Sequence, residues 1–160
     1  MSTVNGLPAH VLLVHIVVVL VPLTALALVA AALWPRAARR LGVLLPVLAF
    51  AALVSVPLTT QAGEWLERHV TEDTLVRRHT ELGDGLLPWA LGLFVLATVV
   101  WWATRRGGPE RAPGGGGRRT ALPVRIAVGV LSVAVAAGAV VDVYRIGDSG
   151  AKAAWHGAYH

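Results

Sequence analysis

A chain of 160 residues that is 56% hydrophobic and only 14% charged is too apolar for a soluble domain, in which about 25% of residues carry charge. A mean hydropathy of +0.65 points to lipid, and the absence of cysteine excludes disulfides, thiolate metal sites and c-type haem attachment. The formal charge of +5 conceals an uneven distribution that sets the expected topology.

The first element is a helix opened by Pro8, whose missing N–H does no harm in a first turn. From Val11 to Leu33 runs a stretch of 23 residues with no charge except a protonated His15. About 20 apolar residues cross a bilayer core, so this is the first span, bent near Pro22. A cleavable leader wants positive charge before its apolar run; here the basic residues, Arg36, Arg39 and Arg40, come after it. Residues 41–60 form the second span. Residues 61–84 are polar, and Leu75, Val76, His79 and Leu82 fall at the spacing of an amphipathic helix, with Thr71 or Thr74 as its cap. Residues 85–104 form the third span, ending at Trp101 and Trp102, a pair suited to a membrane interface. Residues 105–120 read as a flexible, basic, Gly-rich linker. Residues 122–141 form the fourth span, and a polar tail follows. No sequence repeat between the two hairpins stands out.

The segments 34–40 and 105–125 hold nine Arg and one Glu, whereas 61–84 and 142–160 hold four Arg, one Lys and eight acids. The positive-inside rule puts the first pair in the cytoplasm. The expected fold is therefore all-α: a single four-span bundle over residues 1–160 in the inner cell membrane. Both termini lie outside, and an amphipathic outer helix sits between spans two and three. The loop arginines are orientation determinants first, with acidic-lipid binding as a secondary role.

This topology gathers the titratable groups at one face: His10, His15, Glu64, His79, Asp84, Asp142, Tyr144 and Arg145. Ionisable groups in a membrane segment are costly and mark functional sites by default. His10 and His15 are about 7.5 Å apart along a regular helix and roughly 140° apart around it, so this pair alone makes a poor chelate. A site using one of them with His79 fits better. His69 looks more exposed, and His156 and His160 fall in the tail. No Gly-rich phosphate loop with its Lys-Ser/Thr, no His-Glu-x-x-His pair and no nucleophile elbow is present, so nothing points to an enzyme. The basic segments are juxtamembrane, which argues against nucleic acid as a partner.

Four motifs carry a family resemblance: Pro8-Ala9-His10-Val11-Leu12-Leu13-Val14-His15, Gly63-Glu64, His79-Thr80-Glu81-Leu82-Gly83-Asp84, and Val143-Tyr144-Arg145-Ile146-Gly147-Asp148-Ser149-Gly150-Ala151. Over nearly its whole length the chain resembles the bacterial four-helix membrane proteins of the domain of unknown function 2231 family. Some relatives carry a further histidine where this chain has Ile146. Related architectures join such a domain to cytochrome or Rieske-type modules, which implies membrane redox chemistry, a b-type haem and an electron-transfer partner.

Three readings follow. In the first, His15 and His79, with His10 as substitute, ligate one haem b whose propionates meet Tyr144 and Arg145; haem iron accepts axial histidine. In the second, His10, His15 or His79 with Glu64 or Asp84 holds a divalent metal. In the third, there is no cofactor, and the polar cluster locks the outer helix ends of a structural or accessory membrane protein.

Overall fold

The computed structural model describes residues 3–4, 7–67, 74–106 and 117–155. Arg68, His69, Thr71, residues 107–116 of the expected linker, His156 and His160 lie outside them. Two short strands, β1 (Thr3–Val4) and β2 (Leu7–Pro8), pair antiparallel at the N-terminus. Helices follow: α1 (Ala9–Leu33), α2 (Pro35–Leu41), α3 (Leu44–Glu67), α4 (Thr74–Asp84), α5 (Leu86–Arg106) and α6 (Gly117–Trp155). Four of them, α1, α3, α5 and α6, are long and apolar enough to cross a membrane. At about 1.5 Å per residue, the 25 residues of α1 exceed the roughly 30 Å of a bilayer core.

Local chemistry sets the breaks. Trp34 is extended because a proline follows it, and Pro35 starts α2. Gly42 ends α2 at φ +50, with its N–H on the Ala38 carbonyl at 3.0 Å. A side chain there would be strained. Pro46 falls in the first turn of α3, where no helical hydrogen bond is lost. Two helices run further than hydropathy suggests. The second span was expected to stop at residue 60, but α3 continues through Gly63 to Glu67. The fourth was expected to give way to a polar tail after residue 141, but α6 continues to Trp155. There Lys152 reaches Asp148 at 2.7 Å, an i, i+4 pair that suits an exposed helix.

Around the bundle each long helix has two main neighbours, in the order α1, α3, α5, α6 and back to α1; α4 packs on α6 and α3. The core is built of small and medium side chains. On α1 it is Val17, Val21, Thr24, Leu28 and Ala31; on α5 it is Leu86, Ala90, Leu93, Ala97 and Val100. The two sets match at a constant offset of 69 residues. On α3, Leu45, Ala49, Ala52 and Val56 match Ser132, Ala136, Ala139 and Val143 of α6 at a constant offset of 87. The two hairpins thus bury matching positions, and Gly42-Val43-Leu44 of the first recurs as Gly129-Val130-Leu131 in the second. Equivalent helices stand diagonally across the bundle, α1 from α5 and α3 from α6.

Three buried hydroxyls are satisfied within their own helices, whereas Ser132 Oγ on α6 has no partner among the described residues. Thr24 donates to Leu20 O at 2.7 Å, Ser55 to Ala52 O at 2.8 Å and Thr59 to Ser55 O at 2.7 Å. At the end opposite the histidines, Arg105 lies over the Trp101 ring at 4.6 Å and Arg106 over Trp102 at 3.5 Å. These stacks pair an aromatic belt with cations that can reach the headgroups.

Candidate paired-histidine site

His10 opens α1 and His79 sits in α4, just before α5. The two are 69 residues apart, so they are the same position in the two hairpins. The bundle brings their rings together, with centroids 6.3 Å apart and planes at 86°.

Each ring is seated on the second helix of its own hairpin, over a glycine. A Cβ on Gly63 would lie 3.0 Å from His10 Cε1 and 3.2 Å from its Nδ1; one on Gly150 would lie 3.0 Å and 3.3 Å from the same atoms of His79. Gly63 and Gly150 are themselves equivalent, 87 residues apart. A side chain at either would push the ring away, so here glycine serves close approach.

The hydrogen bonds fix the tautomers. His10 Nδ1 meets the Thr59 carbonyl at 3.1 Å. A carbonyl only accepts, so Nδ1 is the donor. His79 Nδ1 lies 3.0 Å from Ser149 Oγ, which spends its own proton on Ile146 O at 2.8 Å. His79 Nδ1–H therefore donates to the serine oxygen. In this tautomer an imidazole keeps on Nε2 the lone pair that a metal would use. The carbonyls correspond too: Thr59 O accepts directly from His10, and Ile146 O, at the matching position one turn before the second glycine, holds the Ser149 hydroxyl that accepts from His79.

The other expected site residues are exposed on their helices. His15 is on an exposed face of α1 and Glu64 is exposed on α3. Asp84 is exposed at the end of α4, and Tyr144 and Arg145 are exposed on α6, Tyr144 at 75%. Among the described residues no three His, Asp or Glu side chains gather as a metal site. Asp142 Oδ2 is buried without a hydrogen-bond partner among the described residues, close to where a Cβ on Gly85 would stand, at 3.6 Å. Thr59, Gly63, Ser149 and Gly150 were not among the expected site residues. The recurring His-and-Gly pattern, one pair per hairpin, was the signal available.

The fold and its paired imidazoles define a four-span helical membrane protein with a polar site at one end of the bundle. The family model described as a predicted membrane protein, DUF2231, matches residues 6–160, and the chain belongs to that family. No curated protein and no solved structure matches the chain.

Proposed function

We propose that His10 and His79 form a two-imidazole coordination site, and that its ligand is the iron of a b-type haem. The observation that carries this reading is the convergence of the two rings, each held through Nδ1 with the Nε2 lone pair left for coordination. An Nδ1–H bond to a backbone carbonyl or hydroxyl is the usual way to orient a ligating imidazole. Two imidazoles bound through Nε2 to one ion at about 2.0–2.1 Å have ring centres roughly 5 Å apart at a tetrahedral angle and roughly 6.3 Å apart when opposed. The observed 6.3 Å matches the opposed case. The ligand count points the same way. Zinc in a protein-held site takes three or four protein ligands, whereas a porphyrin brings four in-plane nitrogens and needs only axial partners. When bound, the haem would supply one-electron chemistry, and the partner would be an electron donor or acceptor.

In this reading the histidine end faces outward across the inner cell membrane, with both termini outside. The support is the cluster of Arg36, Arg39, Arg40, Arg105 and Arg106 at the opposite end.

The test is an absorption spectrum of detergent-purified protein expressed with ample haem, oxidised and then dithionite-reduced, with metal analysis of the same preparation. A Soret band and a sharp reduced α-band are expected, both abolished in His10→Ala and in His79→Ala and retained in His15→Ala. A flat spectrum at full yield would sink the haem reading. Bound zinc or copper would then favour the metal site. Neither would leave a second reading, favoured by the bonds from His10 and His79 to α3 and α6, in which the histidines simply lock the helix ends of an accessory membrane protein.

A further inference from the structure

At the arginine end, α1 and α2 enclose a groove of about 650 Å³ whose wall is almost wholly apolar. Leu23, Leu26 and Ala30 of α1 form its floor, Trp34 stands at the turn, and Arg36 and Arg40 close its mouth. From Leu23 to Trp34 the floor is about 16 Å long at the helical rise, enough to support much of an acyl chain. Arg36 and Arg40 are i, i+4 on α2, so they share a face; Arg39 does not line the groove. Ala38, on the other side of α2, is buried in the core and anchors that helix. The two arginines are exposed, and neither belongs to an ion pair among the described residues. The chain has no Asp or Glu before Glu64, so the whole first hairpin offers them no carboxylate at this end.

From these observations we infer that the groove binds one anionic phospholipid, its phosphate held between Arg36 and Arg40 and an acyl chain laid along α1 from Ala30 to Leu23. Hydrocarbon suits the floor, since water there would meet no polar partner. Two guanidiniums without carboxylates suit a phosphate at the membrane boundary. A zwitterionic lipid fills the groove equally well but brings its own cation to the arginines, so selectivity rests on charge. The second hairpin has only part of this arrangement: Arg105, the equivalent of Arg36, lies over Trp101 instead.

The experiment is native mass spectrometry of the full chain in detergent, titrated with palmitoyl-oleoyl phosphatidylglycerol or its phosphatidylcholine counterpart. One phosphatidylglycerol should be retained at least about tenfold more strongly than phosphatidylcholine, because an arginine near the surface favours an anionic headgroup. Arg36→Gln with Arg40→Gln should abolish the preference. Arg105→Gln with Arg106→Gln removes the same charge elsewhere and should leave it. Ala30→Phe, which obstructs the groove and keeps both arginines, should weaken retention of both lipids. Equal binding of the two lipids would overturn the inference. So would equal losses in the two arginine double variants, which would mean diffuse charge attraction. Competition by glycerol 3-phosphate at the lipid's own concentration would also overturn it, since the site would then read a free phosphate. Both pairs of arginines are exposed, so these substitutions leave the fold intact, and a monodisperse elution profile checks that.

Discussion

Gly138→Val is expected to cost about 3 kcal/mol or more, seen as a large drop in the thermal unfolding midpoint of the purified protein. The reason is the tightest approach at any described glycine. A Cβ on Gly138 would stand 2.3 Å, 2.4 Å and 2.7 Å from three carbons of the Trp89 ring. The indole lies directly on the α6 backbone, in the space where other residues carry a side chain. Even Gly138→Ala should destabilise, although alanine favours a helix over glycine by about 1 kcal/mol. The matching of the two hairpins supplies the rescue. In the first hairpin the position equivalent to Trp89 is Leu20, and the one equivalent to Gly138 is Ala51. Combining Trp89→Leu with Gly138→Ala copies that pair and should recover most of the loss. A Gly138→Ala protein as stable as the original would show that Trp89 does not rest on Gly138.

Gly150→Ala should change sign with its background. With His79 present, the new Cβ would crowd the ring at 3.0 Å and 3.3 Å and disturb its bond to Ser149. The loss of one such hydrogen bond, about 1 kcal/mol, offsets the gain in helix propensity of about 1 kcal/mol. The substitution is then neutral or destabilising. In a His79→Ala background the ring is gone and only the propensity gain remains, so Gly150→Ala becomes stabilising. Thermal unfolding of the four proteins of this cycle measures the difference. Additive effects would mean that the ring and the glycine do not meet.

The membrane class and the four spans were legible because a run of 20 apolar residues has one physical use. The gathering of polar residues at one end was legible from topology alone. Which histidines meet was not. His15 looked the stronger ligand because it lies deeper in the apolar run, yet five residues from His10 it turns to another face of α1, and His10 faces His79. The far end of α6 was hidden by its polarity. Asp148 and Lys152 read as tail, but they are surface residues of a helix that outruns the lipid. The matching of the two hairpins was hidden because a membrane core accepts Val, Leu and Ala almost interchangeably; Val21 answers Ala90 and Leu28 answers Ala97, so the pattern shows in burial and not in identity. Gly63 and Gly150 could be read in the motifs, but a glycine does not announce what lies over it.

The constant offsets make the chain symmetric within itself. Each hairpin offers the other the same buried positions, the same histidine and the same glycine, which is the geometry of an isologous pairing, in which a patch binds its own image. One chain thereby supplies to itself the kind of contact that two copies of a hairpin would supply to each other. The halves still differ: Leu20 and Ala51 answer Trp89 and Gly138, and Ser55 answers Asp142. The histidine and its glycine are the same in both.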